Sequence, residues 1–285
     1  MSGKPILVVA TAMVFGVGNV ALCADDHVVS RAHYLGNGGV MVERGDTKIL
    51  FDPLFREDYG FYDLVPRDLE RALFAAVPPW DGIDAVFISH NHDDHFDPAL
   101  ILSYMQAHSD VELYAPAQAV YELHQLDDPP KDGVFGRVHT VSLDYGDPPT
   151  RTEMNSLLIE AVRIPHLGWP IRNSNVENIA FRITIDDVTT VTHLGDAHAD
   201  VAHFEASHWN ERRTHLALPP YWLLDTPEKR EFLSTHIHAD YSVGVHVPSK
   251  IADKLAARRI ELQGVDLFTR PGETRNIPVS QIRSE

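Results

Sequence analysis

Ser89-His90-Asn91-His92-Asp93-Asp94-His95 follows directly on the apolar run Asp84-Ala85-Val86-Phe87-Ile88. The run has the length and the β-branched and aromatic character of a buried strand. Residues 90–95 spell H-x-H-x-D-H, so one loop receives three imidazoles and a carboxylate at the motif positions. Neutral imidazole and carboxylate are ligands for zinc, and also for manganese or iron. On a tight turn, His90 and His92 can face one point, and Asp94 and His95 a second point a few ångström away. A solvated polar loop would not ordinarily gather these residue types at this spacing.

One loop cannot complete such a site, and the remaining partners are sought at other strand ends. Ile164-Pro165-His166 places a histidine just past one apolar run. Val191-Thr192-His193-Leu194-Gly195-Asp196 places an aspartate past another. Tyr241-Ser242-Val243-Gly244-Val245-His246 places a histidine at the end of a third. Each is weak alone, because most of the 17 histidines must serve other purposes. His236 and His238 compete with His246 for the last position, but they precede the expected strand, and His246 is preferred. His193 reads as strand core or as a support behind the ligands. Asp52, at the end of Lys48-Ile49-Leu50-Phe51, reads as the group that orients a ligand histidine. His198 reads as a solvated loop residue. Trp169, Tyr221 and Trp222 read as pocket wall or aromatic core.

The chain has 285 residues, 44% apolar and 23% charged, enough for a sizeable core. Its net charge of −17 argues against a nucleic-acid partner. Lys4, the apolar run that follows, and the small-residue end at Ala21-Leu22-Cys23-Ala24 have the plan of a secretory signal, expected over residues 1–24. Cleavage is expected after Cys23 or Ala24. A retained anchor and a lipidated Cys23 are the alternatives. Export to the periplasm or outside the cell follows, with no stable membrane insertion once the segment is gone. Cys23 is the single cysteine, so no disulfide forms within one chain.

Strands are expected at 33–35, 40–42, 48–51, 84–88, 111–114, 137–143, 156–164, 178–185, 188–193 and 241–247. Helices are expected at 98–108, 115–125, 199–208, 226–234 and 249–260, with a short one from Arg67. Two runs of strands, each followed by helices, suggest two βα halves packed sheet on sheet.

With these motifs assembled, the chain resembles the metallo-β-lactamase superfamily over residues 33–270. Within it, the chain is most similar to the branch holding ascorbate-phosphate lactonases and N-acyl phosphatidylethanolamine phospholipase D. The resemblance implies an α/β fold, a single αββα sandwich domain over residues 25–285, with a two-metal site at one edge. It implies His90, His92 and His166 on the first ion, Asp94, His95 and His246 on the second, and Asp196 between them. The cofactor expected is a pair of divalent ions, zinc first. Asp94 would hold a metal and also accept a hydrogen bond from the attacking hydroxide, which makes it the catalytic residue. Departures are Asn37, where many members of the branch carry histidine, Val245-His246-Val247-Pro248, and Ala197-His198 after Gly195-Asp196.

The function these implications converge on is hydrolysis of an ester, lactone, amide or phosphodiester in a small-molecule substrate. No G-x-S-x-G elbow offers a serine route. A metal-binding or sensor protein without turnover is the alternative from another class, and an iron redox enzyme on the same fold is a third.

Overall fold

The computed structural model describes residues 28–127, 133–200, 202–205, 207–249 and 262–279. The proposed leader lies outside them, as does the helix expected at 249–260 apart from its first residue. Among the described residues no helix is long and apolar enough to cross a membrane.

The first sheet starts with an antiparallel meander, β1 (Ser30–Gly36), β2 (Gly39–Arg44) and β3 (Thr47–Phe51). It continues in parallel through β4 (Ala85–Phe87), β5 (Glu112–Pro116) and β6 (Val138–Val141). Helices α1 (Arg67–Phe74), α2 (Pro98–Ala107) and α3 (Ala117–His124) make the crossovers. The second sheet comprises β7 (Thr150–Met154), β8 (Leu157–Arg163), β9 (Ile179–Ile185), β10 (Thr189–His193) and β11 (Leu216–Leu218), with α4 (Ala202–Glu205) and α5 (Pro227–His236) beside it. The last strand, β12 (Thr274–Ile277), returns to the first sheet and pairs antiparallel with β1. The strand orders are β12-β1-β2-β3-β4-β5-β6 and β11-β10-β9-β8-β7.

Alternation along the strands decides which side chain enters which layer. Val40 and Val42, Ile49 and Phe51, and Ala85 and Phe87 face Ile159, Phe181, Ile183 and Val191 of the second sheet. The residues between them, Met41, Leu50 and Val86, face the other way, onto Leu73, Ile101 and Met105 of the helices. On the far side of the second sheet, Val162, Ala180 and Ala217 meet Phe204, Phe232 and Leu233. The result is helices, sheet, sheet, helices: the α/β sandwich expected from the sequence, in one domain.

Helix starts follow local chemistry. Asp97 accepts the Leu100 N–H at 2.8 Å with Pro98 in the first turn, and Thr226 does the same for Lys229 at 3.3 Å ahead of Pro227. Residues 241–247, expected as a strand, form only isolated bridges at Ser242, Gly244 and Val245. Val243 and Val245 are buried as the alternation implied, but the neighbouring segment reaches Pro219-Pro220. Those prolines have no N–H to donate, so a regular ladder cannot run on past β11.

Candidate metal centre

The chain leaves β4 through Ile88, whose N–H donates to the Tyr114 carbonyl at 2.9 Å. Ser89 then joins the two sheets, because its carbonyl accepts the Ile179 N–H at 2.8 Å. This seam is where the ligating side chains gather. His90, His92, Asp94 and His95 come from the β4 loop, His166 from the segment after β8, Asp196 from just past β10, and His246 from the segment of isolated bridges.

All seven residues proposed from the sequence as ligands converge here. His90, His92 and His166 form one group whose ligand atoms lie within 4.8 Å of one another; Asp94, His95 and His246 form a second; and Asp196 shares a third with His90 and His95. Asp196 stands between the first two. Its Oδ1 is 3.3 Å from His95 Nε2, and its Oδ2 is 3.4 Å from His166 Nε2 and 3.3 Å from His246 Nε2. His246 Nε2 is also 3.3 Å from Asp94 Oδ2, and His90 Nε2 is 3.1 Å from His92 Nδ1. Ligands around a tetrahedral zinc are separated by about 3.4 Å when the metal–nitrogen bonds are of ordinary length, so these spacings suit shared cations.

Satisfaction of the polar atoms makes the same case. His95 Nε2, His166 Nε2, His246 Nε2 and Asp196 Oδ1 are shielded from solvent and make no hydrogen bond. Buried polar atoms are normally paired, and these four point at one another. The outer ring nitrogens of His95 and His166 are anchored instead. His95 Nδ1 donates to Asp52 Oδ2 at 2.9 Å, and His166 Nδ1 to the Leu167 carbonyl at 2.9 Å. His90 Nδ1 lies 3.0 Å from Ser89 Oγ. Fixing the outer nitrogen turns the inner lone pair toward a metal.

The electrostatics are those of a cation site. Burial pushes the His90 imidazole well down, and its positively polarised neighbour His95 adds to this. Burial acts the same way on His95 and His246, but the Asp196 and Asp94 carboxylates outweigh it and hold both imidazoles above their ordinary range. Burial would raise Asp196, yet His246 and His95 hold it well below the usual carboxylate range. Two buried carboxylates set among five imidazoles are a donor set that divalent cations fit.

Asp52 is fully buried. Its Oδ1 accepts the Ser89 N–H at 2.7 Å and its Oδ2 accepts the Ser89 hydroxyl at 2.6 Å, besides the bond to His95. His193 lies behind the cluster, stacked on Phe51 at 5.0 Å, with Nε2 donating to the Gly38 carbonyl at 2.9 Å and Nδ1 accepting the Gly195 N–H. His236 ends α5 stacked on Phe232, and the exposed His238 bonds the Asn210 carbonyl through Nδ1. Neither joins the cluster.

Sequence reasoning passed over Ser89 and Asn178. Asn178 Oδ1 accepts the Asp196 N–H at 2.9 Å and its amide donates to the Leu194 carbonyl at 3.1 Å, which fixes the turn carrying Asp196. Gly195 has φ +54°, and a Cβ there would lie 2.3 Å from Asn178 Oδ1 and 2.8 Å from Ser89 Cβ. The glycine thus makes room for these two supports. Asn37 holds both faces of the second group: its amide donates to the Asp94 carbonyl and to Oδ2 at 2.8 and 3.1 Å, and its own carbonyl accepts the His246 N–H at 2.8 Å. Asn37, Asp52 and His246 all have φ between 40° and 60°. Such backbone costs free energy and persists where surrounding bonds over-determine it. Of Ser89, Asn178 and Asn37, only Asn37 carried a signal in the sequence, as a departure from the resembling branch.

Aromatic rings flank the cluster. Tyr62 packs edge-on to His246 with centroids 4.2 Å apart, and Trp222 packs edge-on to the same ring at 5.1 Å while donating Nε1–H to the Ala197 carbonyl. Tyr221 packs on Trp222, and Trp169 stands against His203.

A protein-family profile described as "Beta-lactamase superfamily domain" matches residues 31–209. No curated protein matches the sequence. Among solved structures, the metallo-beta-lactamase fold protein YhfI from Bacillus subtilis is similar at a TM-score of 0.56 and 14% identity, covering 87% of this chain and 99% of that one. Igni18, a metallo hydrolase from the archaeon Ignicoccus hospitalis, gives 0.56 at 16% identity over 88% of this chain and 100% of that one. An isothiocyanate hydrolase from Delia radicum gut bacteria gives 0.53 at 15% identity, with 87% and 98% covered. Profile, fold and the placement of the H-x-H-x-D-H loop agree: the chain belongs to the β-lactamase superfamily, with the metallo-β-lactamase fold.

Proposed function

We propose that the chain is a metal-dependent hydrolase that holds two divalent ions, zinc by the chemistry of its ligands, and cleaves a small-molecule ester, lactone, amide or phosphodiester. The observation that carries this reading is the set of unpartnered inward nitrogens of His95, His166 and His246 around Asp196 at 3.3–3.4 Å. Bound ions of this kind supply a hydroxide nucleophile at neutral pH and stabilise charge on the scissile group. Within that scheme His90, His92 and His166 would hold one ion and Asp94, His95 and His246 the other, with the Asp196 carboxylate placed between them.

The chain's own residues have distinct tasks. Asp94 Oδ2, held by the Asn37 amide at 3.1 Å, would accept a hydrogen bond from the attacking hydroxide. Tyr62 and Trp222 brace His246 and narrow the approach. Ser89 is no nucleophile, because it is buried and its hydroxyl is committed to Asp52 at 2.6 Å. Metal analysis of the purified protein, followed by a screen of ester, lactone, amide, phosphodiester, β-lactam and isothiocyanate substrates, tests the reading. A metal-free protein would overturn the reading, and a loaded one that turns over nothing in the panel would favour the metal-binding or sensor alternative.

His246→Ala should lower the metal content to about one ion per chain with the fold largely kept, whereas His236→Ala and His238→Ala should leave it unchanged. Loss of an ion in His238→Ala would mean that the final ligand is misassigned. Export belongs to the same proposal and rests on Lys4, the apolar run and the small-residue end at Ala24. N-terminal sequencing of protein from its native host should begin at Ala24 or Asp25; a soluble cytoplasmic chain beginning at Met1 would rule it out.

A further inference from the structure

Among the described residues, one further set of ligating side chains converges outside the centre described above. His198, Asp200 and His203 each offer a ligand atom within 4.8 Å of the others. They sit on the stretch that leads from Asp196 into α4, with the spacing H-x-D-x-x-H. Asp200 is already turned for the task. Its Oδ1 accepts the Ala202 N–H at 3.1 Å at the start of α4, and its Oδ2 lies 3.9 Å from His203 Nε2. That separation is too long for a hydrogen bond. His203 Nε2 accordingly makes none, although it is shielded from solvent, and the same holds for His198 Nδ1.

The surroundings keep these atoms in place. The His198 N–H donates to the Pro165 carbonyl at 2.7 Å, which fixes the backbone. The Trp169 ring stands nearly perpendicular to His203, at 85° and 4.9 Å, and 6.3 Å from His198. An aromatic wall on one side and two unpaired imidazole nitrogens facing a carboxylate on the other is an arrangement short of one partner, and leaving such atoms unpaired is unfavourable. Two imidazoles with one carboxylate select a borderline transition ion over calcium or magnesium.

We propose that His198, Asp200 and His203 form a separate divalent transition-metal site, suited to zinc, that ties the loop after β10 to the start of α4. Water completes the coordination. The site is independent of the two-ion reading of the main centre, since it shares no ligand with it. Its occupancy would fix the loop that also carries Asp196 and would hold Trp169 in its present orientation.

The test is native mass spectrometry of the full chain at buffered free Zn2+. The wild-type chain should carry one ion more than the two assigned to the main centre. His203→Ala should remove one ion, His246→Ala should remove a different one, and the double variant should lose both. Asp200→Asn alters a side chain that is 46% exposed, so it leaves packing intact and should weaken the same ion at least about tenfold. Co2+ bound there should quench Trp169 fluorescence, and Trp169→Phe should abolish that component. Equal zinc counts in wild type, His203→Ala and Asp200→Asn would overturn the proposal. If His203→Ala loses an ion while His246→Ala does not, this site stands and the two-ion reading of the main centre fails.

Discussion

Asp196→Asn should abolish most turnover on whichever substrate the protein accepts, by more than the roughly 10–100-fold typical of residues that only orient a ligand. The reason lies in charge and position. Among the described residues, Asp196 is the side chain within 3.4 Å of His95, His166 and His246 together, so a single carboxylate faces both proposed ions. Two divalent ions bring four positive charges, and Asp94, Asp196 and one hydroxide offset three of them. Asparagine keeps the shape but removes one of the three, and it turns an N–H₂ toward a cation if the amide takes the other rotamer. At least one ion should bind more weakly, read by competition with a chelator. Retention of both ions with near-normal turnover would leave Asp196 an ordinary turn residue and end the dinuclear mechanism.

The largest effect on stability is expected at Asp52, which touches no metal. Removing its carboxylate in Asp52→Ala strands the Ser89 N–H, the Ser89 hydroxyl and His95 Nδ1, all of them buried. At about 1–3 kcal/mol for each unsatisfied group, partly relieved by rearrangement, the cost is about 3–6 kcal/mol. Alanine also tolerates φ 40° poorly, whereas asparagine accepts it. Asp52→Asn should therefore unfold at a temperature between the wild type and Asp52→Ala. Freed of its anchor, His95 should bind metal about 10–100-fold more weakly in either variant. Thermal unfolding with and without added zinc separates the two effects. An Asp52→Ala melting temperature within a degree or two of the wild type would show that Asp52 supports nothing.

The centre was legible where chemistry is concentrated in sequence. His90, His92, Asp94 and His95 fall within six residues behind a clear apolar strand, and their placement needs only a turn. His166, Asp196 and His246 were found because each follows an apolar run, although residues 241–247 form bridges and no ladder. Ser89, Asn178 and Tyr62 were not legible, because nothing local marks them. Asn178 reaches the Asp196 turn only once β9 lies beside β10. Sheet edges were missed for a different reason. Thr150-Arg151-Thr152-Glu153-Met154 and Thr274-Arg275-Asn276-Ile277 are polar and mostly exposed, which suits edge strands and erases the alternation that identifies inner ones. Leu216-Ala217-Leu218 is too short to show a period.

The pairing of β1 with β12 decides how the molecule presents itself. β1 runs from Ser30 toward the Asn37-Gly38 turn, where Asn37 grips Asp94 and Gly38 borders His95. At about 3.3 Å per residue, Ser30 lies about 20 Å from that turn, and Ile277 stands opposite Ser30. Both ends of the described chain thus emerge at the pole facing away from the metal centre. A tether joined at Ser30 or Ile277 leads off from the blind side and leaves the cluster looking outward, so a protein immobilised through those strand ends would keep the cluster open to whatever diffuses past.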